Sequence, residues 1–70
     1  MSNVHYKEVK LTGAWQKKVE DHAMNGRNFS VRPFNKQLHW PFLEELCQRY
    51  ELTSTFDARE RAAYFRPKAV

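Results

Sequence analysis

Residues 52–67 read LTSTFDARERAAYFRP, and the conformation of this stretch decides the fold class. In its first half, Leu52, Ser54 and Phe56 alternate with threonine and aspartate, a pattern that predicts a strand. The β-branched threonines favour the same conformation. We therefore expect the first half of the stretch to be extended.

Two structures compete for the second half. Residues 57–60 have the spacing of a helix capping box, and residues 58–65 are rich in helix formers, so local propensity favours a helix that ends at Pro67. Alternatively, residues 57–60 form a turn and residues 62–66 return as the second strand of a hairpin. For the whole chain we expect an α+β domain with two helices packed on a short antiparallel sheet. A mostly α fold with a third C-terminal helix is the alternative.

A first helix is expected over residues 13–24. Thr12 is its predicted N-cap, because its hydroxyl can accept a bond from an unpaired N–H of the first turn. Asn25-Gly26 supplies the left-handed stop that commonly follows a helix. The buried face is formed by residues at helical spacing: Trp15, Val19, His22 and Ala23.

Two extended segments flank this helix. Residues 4–11 have no clear period and are expected to be extended. Phe29 and Val31 alternate with polar neighbours, which predicts a strand. Pro33 has no N–H for a ladder, so this strand should end there or lie at a sheet edge.

The second helix has two candidate starts. Pro41 suits the first helical position, where its missing N–H costs nothing, and we expect the helix to begin there. Alternatively, Asn35 caps an earlier start and Pro41 bends the helix in its middle. Trp40 is either a packing residue at the start of this helix or an anchor for a partner. The apolar face is formed by Phe42, Leu43, Leu46, Cys47 and Tyr50.

Length and composition indicate one small basic domain. The chain has 70 residues, with 12 basic and 8 acidic side chains and a net charge of +4, so residues 1–70 are expected to form a single basic binding domain. A single cysteine excludes an internal disulfide, so packing or a partner must hold the fold. The sequence shows no signal peptide and no apolar run of membrane-spanning length, and we expect a cytoplasmic protein. We interpret the chain, which begins with Met1, as a complete small gene product.

Charge is arranged in three blocks along the chain. Residues 25–36 carry three bases and no acid, residues 37–58 one base and four acids, and residues 59–70 four bases and one acid. The basic blocks also hold three phenylalanines: Phe29, Phe34 and Phe65. Either the two basic blocks lie together as one binding face, or their bases pair with the acidic helix between them while the aromatic residues form the core.

The side chains that could carry out catalysis are poorly placed for it. Glu44 and Glu45 are adjacent on a helix and point about 100° apart, so they cannot act as a pair on one substrate. Cys47 lies on an apolar face, and we do not favour a catalytic pair with His39. The histidines and the cysteine lack the spacing of zinc ligands, and there is no glycine-rich phosphate loop. We therefore expect no catalytic activity, no cofactor and no metal.

Residues 45–54 resemble the first helix and turn of a helix-turn-helix. Apolar residues occupy positions typical of that motif: Leu46, Tyr50 and Leu52. The positions at which its second helix would turn inward hold Asp57 and Glu60 instead.

A longer stretch, residues 33–61, resembles the single-strand nucleic-acid-binding domain that is named for an arginine and a histidine four residues apart. The resemblance is carried by Pro33-Phe-Asn-Lys-Gln, Leu43-Glu-Glu-Leu-Cys, Leu52-Thr-Ser and Arg61. It implies a small α+β fold with helices on a three-stranded sheet, and it favours the hairpin. The naming pair is absent, because the matching positions hold His39 or Trp40 and Leu43 or Glu44. The family's nucleic-acid-binding residues therefore do not carry over.

These observations predict a small binding protein. The expected partner-binding residues are the bases of the two basic blocks with two aromatic neighbours: Arg27, Arg32, Phe34, Lys36, Trp40, Arg59, Arg61, Arg66 and Lys68. Small cytoplasmic binding proteins of this kind are typical of bacteriophage host takeover, and we expect a regulator that binds RNA polymerase or a similar protein–nucleic-acid machine. Direct binding of single-stranded RNA or DNA is the alternative. We expect a monomer with no membrane partner.

Overall fold

The C-terminal stretch folds as a hairpin and completes a small α+β domain. The computed structural model describes residues 5–68. The elements are, in chain order, β1 (Lys7–Lys10), α1 (Trp15–Met24), β2 (Phe29–Arg32), α2 (Lys36–Tyr50), β3 (Leu52–Asp57) and β4 (Ala62–Pro67). The α+β fold with two helices is confirmed, and the C-terminal helix favoured by local propensity is wrong. β1 confirms the extended N-terminal segment, of which residue 4 lies outside the described residues.

The sheet is mixed rather than wholly antiparallel as expected. Its strand order is β1-β2-β4-β3. β4 pairs antiparallel with both of its neighbours, whereas β1 pairs parallel with β2, with Val9 opposite Val31. A parallel pair needs a long crossover, and α1 supplies it. β2 ends at Arg32, directly before Pro33 as predicted, but it is an inner strand.

Asp57 explains why the hairpin turn has the sequence of a helix start. Its Oδ1 accepts the N–H groups of Arg59 at 3.0 Å and Glu60 at 3.2 Å, which are the bonds that would cap a helix. The chain then passes through Arg61, with a φ of 53°, and reverses into β4. β4 lies between β2 and β3 in the sheet, and its Phe65 side chain is completely buried. Tertiary pairing therefore overrides the local helix propensity.

The start of α1 differs from the prediction and its end agrees with it. The N-cap is Ala14, with no side-chain capping bond, so the prediction of Thr12 as the cap is wrong. Gly26 lies just past the end of the helix with a φ of 65°. The N–H groups of Gly26 and Arg27 bond back to carbonyl oxygens of the last turn at 3.2 and 3.0 Å. These two bonds make a Schellman motif.

α2 begins at Lys36, so the alternative start is correct and the expected start at Pro41 is wrong. Asn35 is the N-cap: its Oδ1 accepts the N–H groups of Gln37 at 2.9 Å and Leu38 at 3.2 Å. Pro41 lies inside the helix and has no N–H to donate to the carbonyl oxygen of Gln37. Both residues are exposed, so water can satisfy that oxygen.

The core lies between the two helices and one face of the sheet. Phe29 and Phe65, on neighbouring strands, are fully buried and stack with ring centroids 5.0 Å apart. The helices contribute buried residues from their predicted apolar faces: Val19, Ala23, Leu43 and Leu46. Among residues 5–68, no helix has the length and apolar character needed to cross a membrane.

The strand directions give the sheet two different ends. β1 and β2 both run toward the end that holds the β3–β4 turn, residues 58–61, which we call the hairpin end. Each helix follows one of these two strands, so both helices begin at the hairpin end. They return to the other end, which holds residues 25–28 and which we call the opposite end. The positive ends of both helix dipoles therefore lie at the hairpin end.

Candidate functional site at the hairpin end

Three aromatic side chains contact one another at the hairpin end and form the aromatic patch: Phe34, Trp40 and Phe56. Phe34 and Phe56 stack with ring centroids 5.4 Å apart. Trp40 meets Phe56 edge-on at 5.1 Å. Phe34 and Trp40 are half-buried and pack against the core, whereas Phe56 is 45% exposed. The patch is thus anchored to the core and open to solvent at Phe56.

Two bases, Lys36 and Arg61, and one acid, Asp57, lie beside the aromatic patch. Lys36 Nζ lies over the Phe56 ring, 5.8 Å from its centroid. The Arg61 carbonyl oxygen accepts the N–H of Phe34 at 2.7 Å, which ties the turn to the loop before α2. Side chains of these residues line an open groove of about 400 Å³. Neither helix has an acidic residue in its first turn to offset the positive dipole end. The hairpin end therefore favours an acidic group of a partner.

The nine predicted partner-binding residues do not form one face. Five lie at the hairpin end: Phe34, Lys36, Trp40, Arg59 and Arg61. Three lie at the opposite end: Arg27, Arg66 and Lys68. Arg32 lies near the end of β2 on the open face of the sheet. The two basic blocks are neighbours, because β2 pairs with β4, but their bases are divided between the two ends.

The aromatic part of the predicted face is also different from the expectation. Phe29 and Phe65 are fully buried in the core and present nothing to a partner. Phe56, which is not among the nine predicted binding residues, is the exposed member of the patch. In the sequence, Phe56 could be recognised only as the last apolar residue before the turn. That position points to a binding site only if residues 52–67 are assumed to form a hairpin, because the hairpin brings the turn beside Phe34.

Arg32 is engaged by ion pairs on the open face of the sheet. Its guanidinium lies 3.6 Å from the Glu8 carboxylate and 3.0 Å from the Glu60 carboxylate. Burial alone would lower the pKa of Arg32, but the two carboxylates and Tyr64 outweigh it and raise that pKa. Tyr64 donates its hydroxyl to Glu60 at 3.1 Å, and this bond, followed by burial, raises the pKa of Tyr64. Arg32 thus links β1, β2 and the turn instead of facing a partner as a free cation.

Within residues 5–68, the bases of the two basic blocks form no ion pair with the acidic helix. Glu45 of α2 bonds to Arg49 of the same helix at 3.0 Å. Arg49 also reaches Glu20 of α1 at 3.4 Å. The other ion pairs of the described residues are those of Arg32 with Glu8 and Glu60. The expected pairing of the basic blocks with α2 is therefore wrong for this part of the chain. The other half of that alternative, in which the aromatic residues form the core, is confirmed for Phe29 and Phe65.

Cys47 and His39 are engaged in packing and capping. Burial, followed by the charge of Glu44, raises the pKa of the Cys47 thiol to about 11, so the thiol is protonated at neutral pH. His39 Nδ1 accepts the backbone N–H of Asn35 at 2.9 Å. The His39 ring lies edge-on to Trp15, with centroids 5.3 Å apart. This arrangement does not activate the thiol as a nucleophile.

The structure departs from both families that the sequence resembles. The helix-turn-helix resemblance is wrong, because residues 52–57 form β3 where its second helix would begin. The single-strand nucleic-acid-binding domain implied a three-stranded sheet, whereas this sheet has four strands. Comparisons with protein-family models, with curated proteins and with solved structures gave no match. The hairpin end is therefore the feature from which a function can be inferred.

Proposed function

We propose that this protein is a non-enzymatic regulator that binds a protein component of the transcription machinery through its hairpin end. The proposed target is a subunit of bacterial RNA polymerase, and the proposed role is that of a small bacteriophage inhibitor in the host cytoplasm. The aromatic patch with Lys36 and Arg61 beside it is the observation that supports binding. RNA polymerase is proposed as the target because its nucleic-acid channels offer sites that a small basic domain can block.

Exposed apolar side chains favour the hairpin end as the docking surface. Three large apolar side chains stand out for their exposure in residues 5–68, and two of them, Leu38 and Phe56, lie at this end. The third, Met24, lies at the end of α1 on the opposite end. Binding energy in protein interfaces concentrates in aromatic and arginine side chains that lose water on contact. Phe56 beside Arg61 meets that description.

A protein partner fits the patch better than single-stranded nucleic acid does. Bases bind to such proteins by stacking on free aromatic faces. Here Phe34 stacks on Phe56, and Lys36 Nζ lies 5.8 Å from the centroid of the same ring, so the protein's own side chains already occupy part of the space over Phe56. The engagement of Arg32 by two carboxylates removes one further cation from phosphate binding. The exposed part of the patch is suited to insertion into a partner's surface.

The proposal is tested by binding to purified bacterial RNA polymerase after nuclease treatment. The wild-type protein should form a stable complex in which one copy of it binds one copy of the target subunit. Phe56→Ala should weaken binding by about 2 kcal/mol or more, roughly 30-fold, as expected for a buried interface anchor. Met24→Ala is the matched control, because it removes an apolar side chain at the opposite end that is even more exposed than Phe56, and it should bind as the wild type does.

Three results would contradict the proposal. One is the absence of any complex with the polymerase at micromolar concentrations. Another is a complex in which Phe56→Ala and Met24→Ala, both shown to be folded by circular dichroism, bind equally well. The third is a complex that nuclease dissolves, together with RNA affinity that falls steeply with salt, which would favour the nucleic-acid alternative.

A further inference from the structure

The two edge strands of the sheet differ in their protection against pairing with another chain. β1 has the sequence KEVK, in which three of four residues are charged. β3 has the sequence LTSTFD, in which the first five residues carry no charge and no proline. Charged residues and proline are the usual means by which an edge strand is kept from pairing. β1 has this protection and β3 lacks it.

The pairing of β3 with β4 determines which backbone N–H and C=O groups of β3 point away from the sheet. Lys68 donates its N–H to the Glu51 carbonyl oxygen at 3.0 Å, directly across the ladder. In an antiparallel pair such bonded positions alternate, so every second residue from Glu51 is turned toward β4. Leu52, Ser54 and Phe56 therefore direct their N–H and C=O groups away from the sheet. These three residues are placed symmetrically about Ser54.

That symmetry makes the edge complementary to itself. We propose that β3 pairs antiparallel with β3 of a second copy of this chain, about a two-fold axis at Ser54, so that the two sheets join into one. Leu52 then lies opposite Phe56 of the second copy, and Ser54 lies opposite its own equivalent. All three pairs are hydrogen-bonded pairs, so every outward N–H and C=O of residues 52–56 finds a partner.

The side chains of β3 are compatible with this register. Thr53 lies opposite Thr55 of the second copy on the open face, and threonine pairs of this kind stabilise a ladder. On the helix face, the exposed Phe56 lies opposite Leu52 of the second copy, whose side chain is buried in its own core. The same register places Glu51 opposite Asp57 of the second copy at each end of the ladder, and the repulsion between these carboxylates limits the affinity of the dimer. A junction between two copies of β1 is less favourable, because three of the four residues of β1 are charged and their side chains would line the junction.

This pairing does not rest on the proposed function, and it differs from the monomer expected from the sequence. The ladder is short, so the dimer is expected to be weak, with dissociation at micromolar concentrations. Phe56 belongs both to the junction and to the aromatic patch. Target binding through Phe56 therefore competes with pairing.

Sedimentation velocity over a wide range of protein concentration tests the pairing. The wild-type mass should rise from 8.4 kDa toward twice that value. Ser54→Pro removes the N–H at the axis and should stay monomeric over the whole range. Glu8→Pro is the matched control, because it removes an outward N–H from the other edge, and it should dimerise as the wild type does. If Ser54→Pro does not fold, the double variant Thr53→Lys with Thr55→Lys takes its place. It keeps the ladder to β4 and should also be monomeric, because it sets lysines opposite lysines.

The proposal is overturned if the wild type remains at 8.4 kDa at every concentration up to the millimolar range. It is also overturned if a folded Ser54→Pro or the double lysine variant dimerises as strongly as the wild type. Loss of dimerisation in Glu8→Pro with retention in Ser54→Pro would assign the junction to β1 instead. Polymerase binding should also be measured on Ser54→Pro and on Glu8→Pro. Neither of these substitutions changes a residue of the aromatic patch, so a loss of dimerisation can be distinguished from a loss of target binding.

Discussion

The two ends of the sheet are both basic, yet their charges have different electrostatic surroundings. At the opposite end, Arg27, Arg49 and Lys68 lie close to the C-terminal ends of the helices, where the negative end of the helix dipole stabilises a cation. At the hairpin end, Lys36 and Arg61 lie at the N-terminal ends, where dipole and side chains have the same sign. Only the hairpin end adds exposed aromatic surface. The value of a base for binding therefore depends on its position relative to the helix dipoles and to exposed aromatic surface, and not on the number of bases.

After the Phe56→Ala and Met24→Ala pair, charge reversal at each end should give the next largest difference between them. Lys36→Glu with Arg61→Glu should weaken polymerase binding at least about tenfold, chiefly through slower association, because it removes the positive field from the docking surface. Arg27→Glu with Lys68→Glu changes the net charge by the same amount and should change affinity less than about twofold, because rim and remote charges contribute little. Surface plasmon resonance on both variants makes the comparison. Equal losses would show that net charge, and not its position, determines binding.

Capping of α2 should have an intermediate effect, on stability. Asn35→Ala removes the acceptor of two N–H groups at the start of α2 and should cost about 1 kcal/mol, or roughly 5 °C in Tm. Thr12→Ala is the control at the start of α1, where the cap is Ala14 without a side-chain bond, and it should stay within about 0.5 kcal/mol of the wild type. Thermal unfolding followed by circular dichroism measures both. A larger loss for Thr12→Ala would contradict the assignment of the caps.

Acidification should produce the smallest effect, at the opposite end. Burial, followed by the charge of Arg27, lowers the pKa of His22, whose ring stacks on Phe29 with centroids 5.9 Å apart. The folded state therefore favours neutral His22. This contribution to stability is present above the unfolded pKa near 6.5 and is lost as the pH falls through the lower pKa of the folded protein. Asp21 on the same helix acts against the shift, and Lys7 of β1 adds to it.

Urea unfolding at pH 7.5 and pH 5 checks this effect. The wild type should lose more stability between the two pH values than His22→Gln does. His5→Gln, in the segment before β1, is the control for the loss of a histidine. An identical pH dependence in the wild type and His22→Gln would show that the folded state does not discriminate between the two forms of His22.

The sequence was most informative where local chemistry and tertiary structure agree. The apolar faces of both helices, the Schellman end at Gly26 and the end of β2 before Pro33 follow from residue spacing and backbone chemistry, and all are confirmed. The start of α2 was less certain, because Asn35 and Pro41 both satisfy a rule for helix starts. The exposed position of Pro41 decided between them, and exposure is a property of the folded molecule.

The candidate site was only partly predictable, and the reason lies in residues 57–67. Asp57 forms the same side-chain bonds in the hairpin turn that it would form in a helix cap, so local propensity could not distinguish the two. The choice is made by β4, which fills the gap between β2 and β3 with buried side chains such as Phe65. Phe56 becomes part of a site only as a result of that choice. The grouping of Lys36 with Arg61 likewise depends on strand direction, which composition does not encode.

Hydrogen–deuterium exchange on the complex with bacterial RNA polymerase compares the two ends most directly. If the hairpin end is the docking surface, amides of residues 34–40 and 56–61 should exchange more slowly in the complex than in the free protein. Amides of residues 25–28 and 66–68 should exchange at the same rate in both. Protection of the opposite end, with none at the hairpin end, would contradict the account.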